Sequence, residues 1–287
     1  VVCGDELEGF GSSTADLLRV AVPQDAFATL LEYFHPTPRP GPGLHPSAVI
    51  DPTAAIGDGT YIGPGVVIEQ NAQVGEDCIL GAQVYLGPEV QLGDGCRLEP
   101  GVRILAASHL GKEVIIGPGS VIGSRGFGHL PPDAQGRRRS MPQVGSVRIG
   151  DRVEIGALCA IDRGTLGHTE IGQDARLDNL VQVGHNSTVA EGAVLVAQVG
   201  VSGSCRIGRG AILAGQAGVA DHREVGDGAV LAARAAAFRD VPAGAIYGGF
   251  PARPQRQWLT EQATLSRMAR KERKSAEQAS GRSEEDV

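Results

Sequence analysis

The chain has 287 residues, with 42 glycines against only 6 Phe, 4 Tyr and 1 Trp, a composition that argues against a conventional globular core. Its formal net charge of −7 argues against a nucleic-acid binder, which normally presents a basic surface. No apolar run approaches the ~18 residues of a membrane helix, no signal segment opens the chain, and the 5 cysteines follow no CxxC or zinc spacing, so a reducing, cytoplasmic setting is expected.

Residues 1–45 carry no repeat. Within them Asp25 to Phe34, with Phe27, Leu30, Leu31 and Phe34, predicts a short amphipathic helix. Pro36, Pro38, Pro40 and Pro42 then mark a linker. This opening segment reads as the last part of a larger domain.

From residue 46 to 250 a six-residue period takes over. Stepping by six from Ile50 gives Ile56, Ile62, Ile68, Val74, Leu80, Leu86, Leu92, Leu98, Ile104, Leu110, Ile116 and Ile122, all aliphatic. The series resumes at Ile149, Ile155 and Ile161, shifts by four residues, and runs on from Ile171 through Leu177 and Val183 to Leu231. Glycine often follows the aliphatic, as at Gly57, Gly75 and Gly93, where it frees the backbone to turn. Four residues after the aliphatic stands a small or slim side chain, such as Ala72, Cys78, Val84 or Cys96.

A period of six fits neither the 3.5 of a heptad seam nor the 3.6 of a helix. It fits a three-sided prism with three faces, and hence eighteen residues, per coil. Each coil then rises by about one inter-strand spacing, ~4.8 Å, and stacks its aliphatics on those of its neighbours. The expected class is an all-β solenoid, a parallel β-helix of hexapeptide repeats. Cys78, Cys96, Cys159 and Cys205 fall at the small inward position and are expected to pack as small hydrophobes.

The repeat breaks over 124–146, an insertion holding Gly126-Phe127-Gly128 and Arg137-Arg138-Arg139. A loop leaving such a scaffold suits binding, and a solvated excursion explains it equally well. A shorter loop, Asp162 to Thr169, interrupts the next coil.

Of the 7 histidines, His185 and His222 sit within regular coils at outward phases. Their separation of 37 residues is two coils plus one, so they share a side of the prism about 10 Å apart. Gly203, eighteen residues after His185, lies between them, with Asp178 and Asn186 nearby. A histidine near its intrinsic pKa can take a proton from an attacking amine or hydroxyl. A glycine N–H can meet the oxyanion formed at a thioester carbonyl. Two histidines ~10 Å apart cannot share one zinc, whose His ligands sit at ~2.0–2.1 Å. No metal is expected from this chain, and ligands shared across chains, as in a γ-class carbonic anhydrase, are a weaker alternative.

Residues 251–287 change to a helical pattern. Trp258, Leu259, Leu265 and Met268 predict a helix over 255–275 that caps the prism or packs against other subunits, and the last dozen residues are expected to be disordered. Arg253, Arg256, Arg267, Arg270, Lys271, Arg273 and Lys274 make it basic, which suits either an ordinary solvated face or a landing site for an acidic partner.

Several segments are far more specific than the hexapeptide itself. They are Gly126-Phe127-Gly128, Met141-Pro142-Gln143, VRIGDRVEIGALCAIDRGTLGHTEIG from Val147 to Gly172, LDNLVQVGHN from Leu177 to Asn186, AQVGVSGSCRIG from Ala197 to Gly208, and GFPARPQRQW from Gly249 to Trp258. Over roughly residues 20–275 the chain resembles the N-acyltransferases that acylate UDP-3-O-(3-hydroxyacyl)glucosamine in lipid A synthesis. The resemblance implies a left-handed β-helix, a homotrimer with sites in clefts between chains, and a hydroxyacyl group delivered on the phosphopantetheine arm of acyl carrier protein. No bound cofactor is implied. His185 matches the family's general base, Gly203 its oxyanion-hole glycine and His222 a second histidine that contacts substrate. Asp178 and Gln182 match residues near the base, with Asn186 beside it, and Arg239 matches a basic residue near the donor arm. The chain departs from the pattern in its short N-terminal segment, in Val22-Pro23, and at Arg125 and His129. Another hexapeptide acyltransferase, using acetyl-CoA or acylating a hydroxyl, and a non-catalytic β-helix are the alternatives.

Overall fold

The computed structural model describes residues 2–3, 18–36 and 39–281, with residues 2–3 and 274–281 described by backbone alone. The chain divides into two compact units, Val1–Gly41 and Pro42–Val287. In the first, strands Val2–Cys3 and Leu18–Arg19 pair in parallel, and helix α1 spans Pro23–Phe34. The helix starts two residues before the expected Asp25. Pro23 fits its first turn because an N–H there has no partner to lose.

The second unit is the expected left-handed β-helix, of about 11 turns. Its strands are mostly two residues long and form three sheets. The first sheet runs from Val49–Ile50 to Ala236–Ala237 in ten strands, the second from Ala55–Ile56 to Glu224–Val225 in nine. The third has twelve, from Gly43–Leu44 to Ile246–Gly248 and a final antiparallel Arg253–Pro254. Val67 pairs with Tyr85 and Tyr85 with Arg103, steps of eighteen residues. Val121 then pairs with Ala160 and Ala160 with Gln182, steps of 39 and 22. The first insertion therefore adds 21 residues to its coil and the second adds the four that the phase shift requires.

The aliphatic column is the core. Ile62, Leu80, Leu98, Ile116 and Leu195 are fully buried, as are the slim residues Val66, Cys78 and Cys96 between them. All four repeat cysteines are buried thiols. Several small polar residues at this inward position share one pattern, donating to the carbonyl fifteen residues on where the coil is regular. Thr60 Oγ1 donates to Gly75 O at 2.9 Å, Cys78 Sγ to Gly93 O at 3.3 Å and Ser187 Oγ to Ser202 O at 2.8 Å.

The corner glycines act differently from the expectation. Gly57, Gly75 and Gly93 do not supply the turn; a Cβ on them would meet the next coil's backbone at 2.5, 2.7 and 2.6 Å. The left-handed turn falls two residues later and is mostly made by residues with side chains, such as Asn71, Asp77 and Gln83. The glycines thus permit tight stacking of coils rather than their bending.

Helix α2 spans Gln255–Gly281, six residues longer than expected, so the backbone of 276–281 is helical where disorder was expected; 282–287 lie outside the described residues. Its fastening is local. Trp258 packs on the backbone of Gly248 and Gly249, and Arg253 pairs with Glu261. Leu259, Leu265 and Met268 stay exposed.

Candidate functional site

Both insertions leave the prism at one corner, between the first and second sheets. Above them at the same corner come the turns after Gln182–Val183, Gly200–Val201 and Gly218–Val219. The register stacks His185, Gly203 and Asp221 in one column and Asn186, Ser204 and His222 in the next. Asn186, Ser204 and His222 hold the left-handed turn position, with φ of 59°, 58° and 57°. Ser204 N–H donates to His185 O at 2.8 Å and His222 N–H to Gly203 O at 3.1 Å, tying the three turns together.

His185, Gly203 and His222 therefore meet as expected, lining one cavity of about 960 Å³ with Gln182, Asp162 and the insertion residues 125–129. That volume suits a sizeable organic ligand. The imidazole of His185 is caged by two glycines. A Cβ on Gly203 would stand 2.7 Å from Nε2, and one on Gly126 would stand 2.9 Å from the His185 Cβ. Gly203 is thus required to make room for the ring before any role of its amide is considered. That amide donates no hydrogen bond within the chain among the described residues.

The other face of the ring is held by Asn186, whose Oδ1 lies 3.3 Å from His185 Nδ1. Asn186 is pinned in turn by the second insertion, accepting from Thr165 N–H at 2.9 Å and donating to Leu166 O at 2.6 Å. Gln182 also reaches the site, its Nε2 donating to Asp162 Oδ2 at 2.9 Å.

The sequence marks Asp162 only as the start of a loop. The structure makes it the last residue of strand Ala160–Asp162, with a nearly buried carboxylate facing the cavity. Ser124 Oγ donates to its Oδ1 at 2.7 Å. Burial pushes its carboxyl above the ordinary carboxylate range, opposed by the hydrogen bonds from Ser124 and Gln182 and by the charge of His185. The sequence carries no specific signal for it: Asp162 puts a charge where glycine often follows the inward aliphatic, but so do Asp51, Glu69, Glu99 and Asp178.

Two expected residues stand elsewhere. Asp178 follows strand Arg176–Leu177 and so lies at the corner between the third and first sheets, where its oxygens accept from the N–H groups of Asn179 at 2.7 Å and Ala197 at 3.1 Å. Within one chain it does not meet His185. Arg239 lies one coil above Asp221 on the His185 corner but does not line the cavity, whose upper end is Ala236, Ala237 and Phe238.

Comparison with known proteins places the repeat. Residues 71–106 and 89–124 match the bacterial transferase hexapeptide (six repeats), and residues 48–88 match the hexapeptide repeat of succinyl-transferase. The chain is 56% identical over 259 residues to a UDP-3-O-acylglucosamine N-acyltransferase of Granulibacter bethesdensis, covering 90% of this chain and 75% of the relative. The protein of that name from Rhizobium meliloti is 47% identical over 272 residues, covering 93% and 76%. Against others the chain spans about half the relative's length; the match to the Caulobacter vibrioides protein, 55% identical, covers 58% of this chain and 48% of that one. Among solved structures, an Arabidopsis UDP-N-acetylglucosamine acyltransferase superposes with a TM-score of 0.66 at 22% identity, covering 74% of this chain and 73% of the other. One from Bacteroides fragilis gives 0.59 at 24%, with the same coverage. At such identities the likeness is one of fold.

Proposed function

The chain belongs to the UDP-3-O-acylglucosamine N-acyltransferase family, and on that premise we propose that it moves a 3-hydroxyacyl group from acyl carrier protein to the 2-amino group of UDP-3-O-acyl-glucosamine, in the cytoplasm. The observation that carries the reading is the His185 imidazole, held between Gly126 and Gly203 in a cavity it shares with His222.

In this reading the amine attacks the thioester carbonyl while His185 Nε2 takes its proton. A nitrogen–carbon bond forms and the carbonyl oxygen becomes an oxyanion, which the free N–H of Gly203 meets. Collapse breaks the carbon–sulfur bond, and the imidazolium returns the proton to the departing pantetheine thiolate. His222, two coils up, contacts the substrate at the other end of the cavity, and Gln182 lines the acceptor side. Arg239 stands above the cavity, where the anionic donor arm would pass. The exposed basic residues of α2, such as Arg256, Arg267 and Arg270, offer acyl carrier protein an acidic partner's landing site.

We further propose a homotrimer, with Asp178 reaching the site from the neighbouring chain. Supporting this are the exposed apolar residues of α2 and two exposed leucines, Leu158 and Leu180, at the corner that bears Asp178. The test is a mass-spectrometric transfer assay on purified protein, with hydroxyacyl-acyl carrier protein and acetyl-CoA as alternative donors and with UDP-linked and unlinked acceptors. Transfer should require the carrier-protein donor and the UDP-linked amine. His185→Ala should lose at least about a hundredfold in kcat, the scale of a general base. Full turnover in that variant, or transfer from acetyl-CoA alone, contradicts the reading.

A further inference from the structure

We infer that the second insertion, residues 163–167, sets which nitrogen of the His185 ring carries the proton, with Asn186 as the intermediary. The inference rests on the proposed function only for the use made of Nε2; the protonation pattern itself follows from the hydrogen bonds.

The side-chain amide of Asn186 has one orientation available. Its Oδ1 accepts the N–H of Thr165 at 2.9 Å and its Nδ2 donates to the carbonyl of Leu166 at 2.6 Å. Turning the amide over would set NH₂ against an N–H and oxygen against a carbonyl, two repulsive contacts in place of two bonds. The atom facing His185 Nδ1, at 3.3 Å, is therefore an acceptor and nothing else. A neutral imidazole answers an acceptor with its N–H, so the proton sits on Nδ1 and the lone pair on Nε2. Nε2 is the atom set against Gly203, on the cavity side. A solvated histidine favours the opposite arrangement, with its proton on Nε2, so the loop imposes the form that a base acting at Nε2 needs.

The loop is built to hold this contact. A Cβ on Gly164 would stand 2.9 Å from Asn186 Nδ2, so glycine is what lets the amide in. Thr165 Oγ1 donates to Gln143 Oε1 at 2.9 Å, and Val144 N–H and Gly145 N–H donate to Thr165 O and Gly164 O at 3.0 Å each. The first insertion thus backs the second. Asn186 N–H donates to Thr169 Oγ1 at 2.9 Å, which fixes the turn beneath the amide. Asn186 and Thr165 are positioning residues; of the three residues in this chain of contacts, His185 alone meets the reacting atoms.

The test reads the tautomer without reference to turnover. The full chain is labelled with ¹⁵N in the histidine rings, and two-bond proton–nitrogen correlations are recorded above the titration of the ring, with the His185 signals identified by their loss in His185→Ala. Wild type should carry the proton on Nδ1. Asn186→Ala and Gly164→Ala should return it to Nε2 and lower kcat by about tenfold or more at little-changed KM. Asn186→Asp keeps the acceptor, so it should keep the proton on Nδ1. Its added charge should raise the ring's pKa and move the acidic limb of kcat/KM to higher pH. A wild-type ring protonated on Nε2, or a tautomer unmoved in both Asn186→Ala and Gly164→Ala, overturns the inference. An Nδ1-protonated ring in a chain without transferase activity leaves it standing and sinks the proposed function instead.

Discussion

A methyl group on Gly203 would press on the Nε2 of His185 at 2.7 Å, closer than a real Cβ comes to anything. The ring is the far end of a side chain, so it can swing aside rather than break the coil. Gly203→Ala should therefore fold with a stability close to wild type while losing turnover as severely as His185→Ala. A crystal structure of the variant should show the imidazole displaced; an undisturbed ring with lost activity would assign the loss to the amide instead. Asp162 supplies a second measurement. Burial raises its native carboxyl above the unfolded value, so the native state holds this proton to higher pH than the unfolded chain does. Stability from this group is present at low pH and lost as pH rises through the native pKa. Asp162→Asn lacks that slope, and urea midpoints should show wild type losing ground to the variant as pH rises through and above the carboxylate range. Parallel curves would mean the carboxyl is not raised. His185, Gly203 and His222 could be brought together by counting because all three keep the eighteen-residue period. Asp162 and Thr165 could not, since the first ends a strand just before a loop and the second lies in residues that obey no period. Both the spacing and the resemblance set Asp178 near the base, yet within one chain it sits one corner away, because seven residues before His185 is a face and not a whole coil.

Among the inward hydroxyls and thiols, Ser108 departs from the fifteen-residue pattern at the point where the solenoid gives way to the site. Ser108 Oγ is fully buried with no partner. The pattern assigns it Gly123 O, but strand Val121–Ser124 shifts register there, Gly123 adopts φ +85°, and its carbonyl accepts from Arg163 Nε at 2.8 Å. The first insertion thus starts by taking an acceptor from the core. Removing an unsatisfied buried hydroxyl relieves a desolvation cost of about 1–3 kcal/mol, whereas removing a bonded one costs about 1 kcal/mol. Ser108→Ala should be neutral or stabilising, and Ser187→Ala, which loses both its bond to Ser202 O and the Cys205 N–H it accepts, should be destabilising. Thermal unfolding of the two variants in parallel checks this, and a destabilised Ser108→Ala would mean the hydroxyl has a partner. The coils themselves were legible in the sequence because periods of six and eighteen survive any local irregularity, and the four-residue phase shift predicted the 22-residue step between Ala160 and Gln182. The purpose of the corner glycines was not legible, because close approach between coils is a property of stacking and not of one hexapeptide.

At the corner between the third and first sheets, the left-handed turn position holds Gln83, Gly101, Gly119, Gln198, Gln216 and Arg234, all glycine or polar. Leu158 and Leu180 break that pattern in successive coils, with φ of 55° and 63° and exposures of 62% and 47%. A left-handed leucine costs about 1–2 kcal/mol on its own, and leaving it in water recovers nothing. Burial against a second copy offsets both penalties, at about 25 cal/mol per Å² of apolar surface covered. The same corner carries Asp178, the matched residue that one chain leaves away from its own His185. An interface here would deliver that carboxylate to a neighbour, so assembly and activity should fail together. Light scattering on wild type should give a mass near three times the 29.7 kDa of one chain. Replacing both leucines with asparagine, which tolerates the left-handed turn, should leave the β-sheet circular dichroism intact and shift the mass towards 29.7 kDa on dilution, with turnover falling in step. A wild type that scatters as a single chain removes the trimer; a variant that stays trimeric moves the interface to another corner and takes Asp178 out of the site.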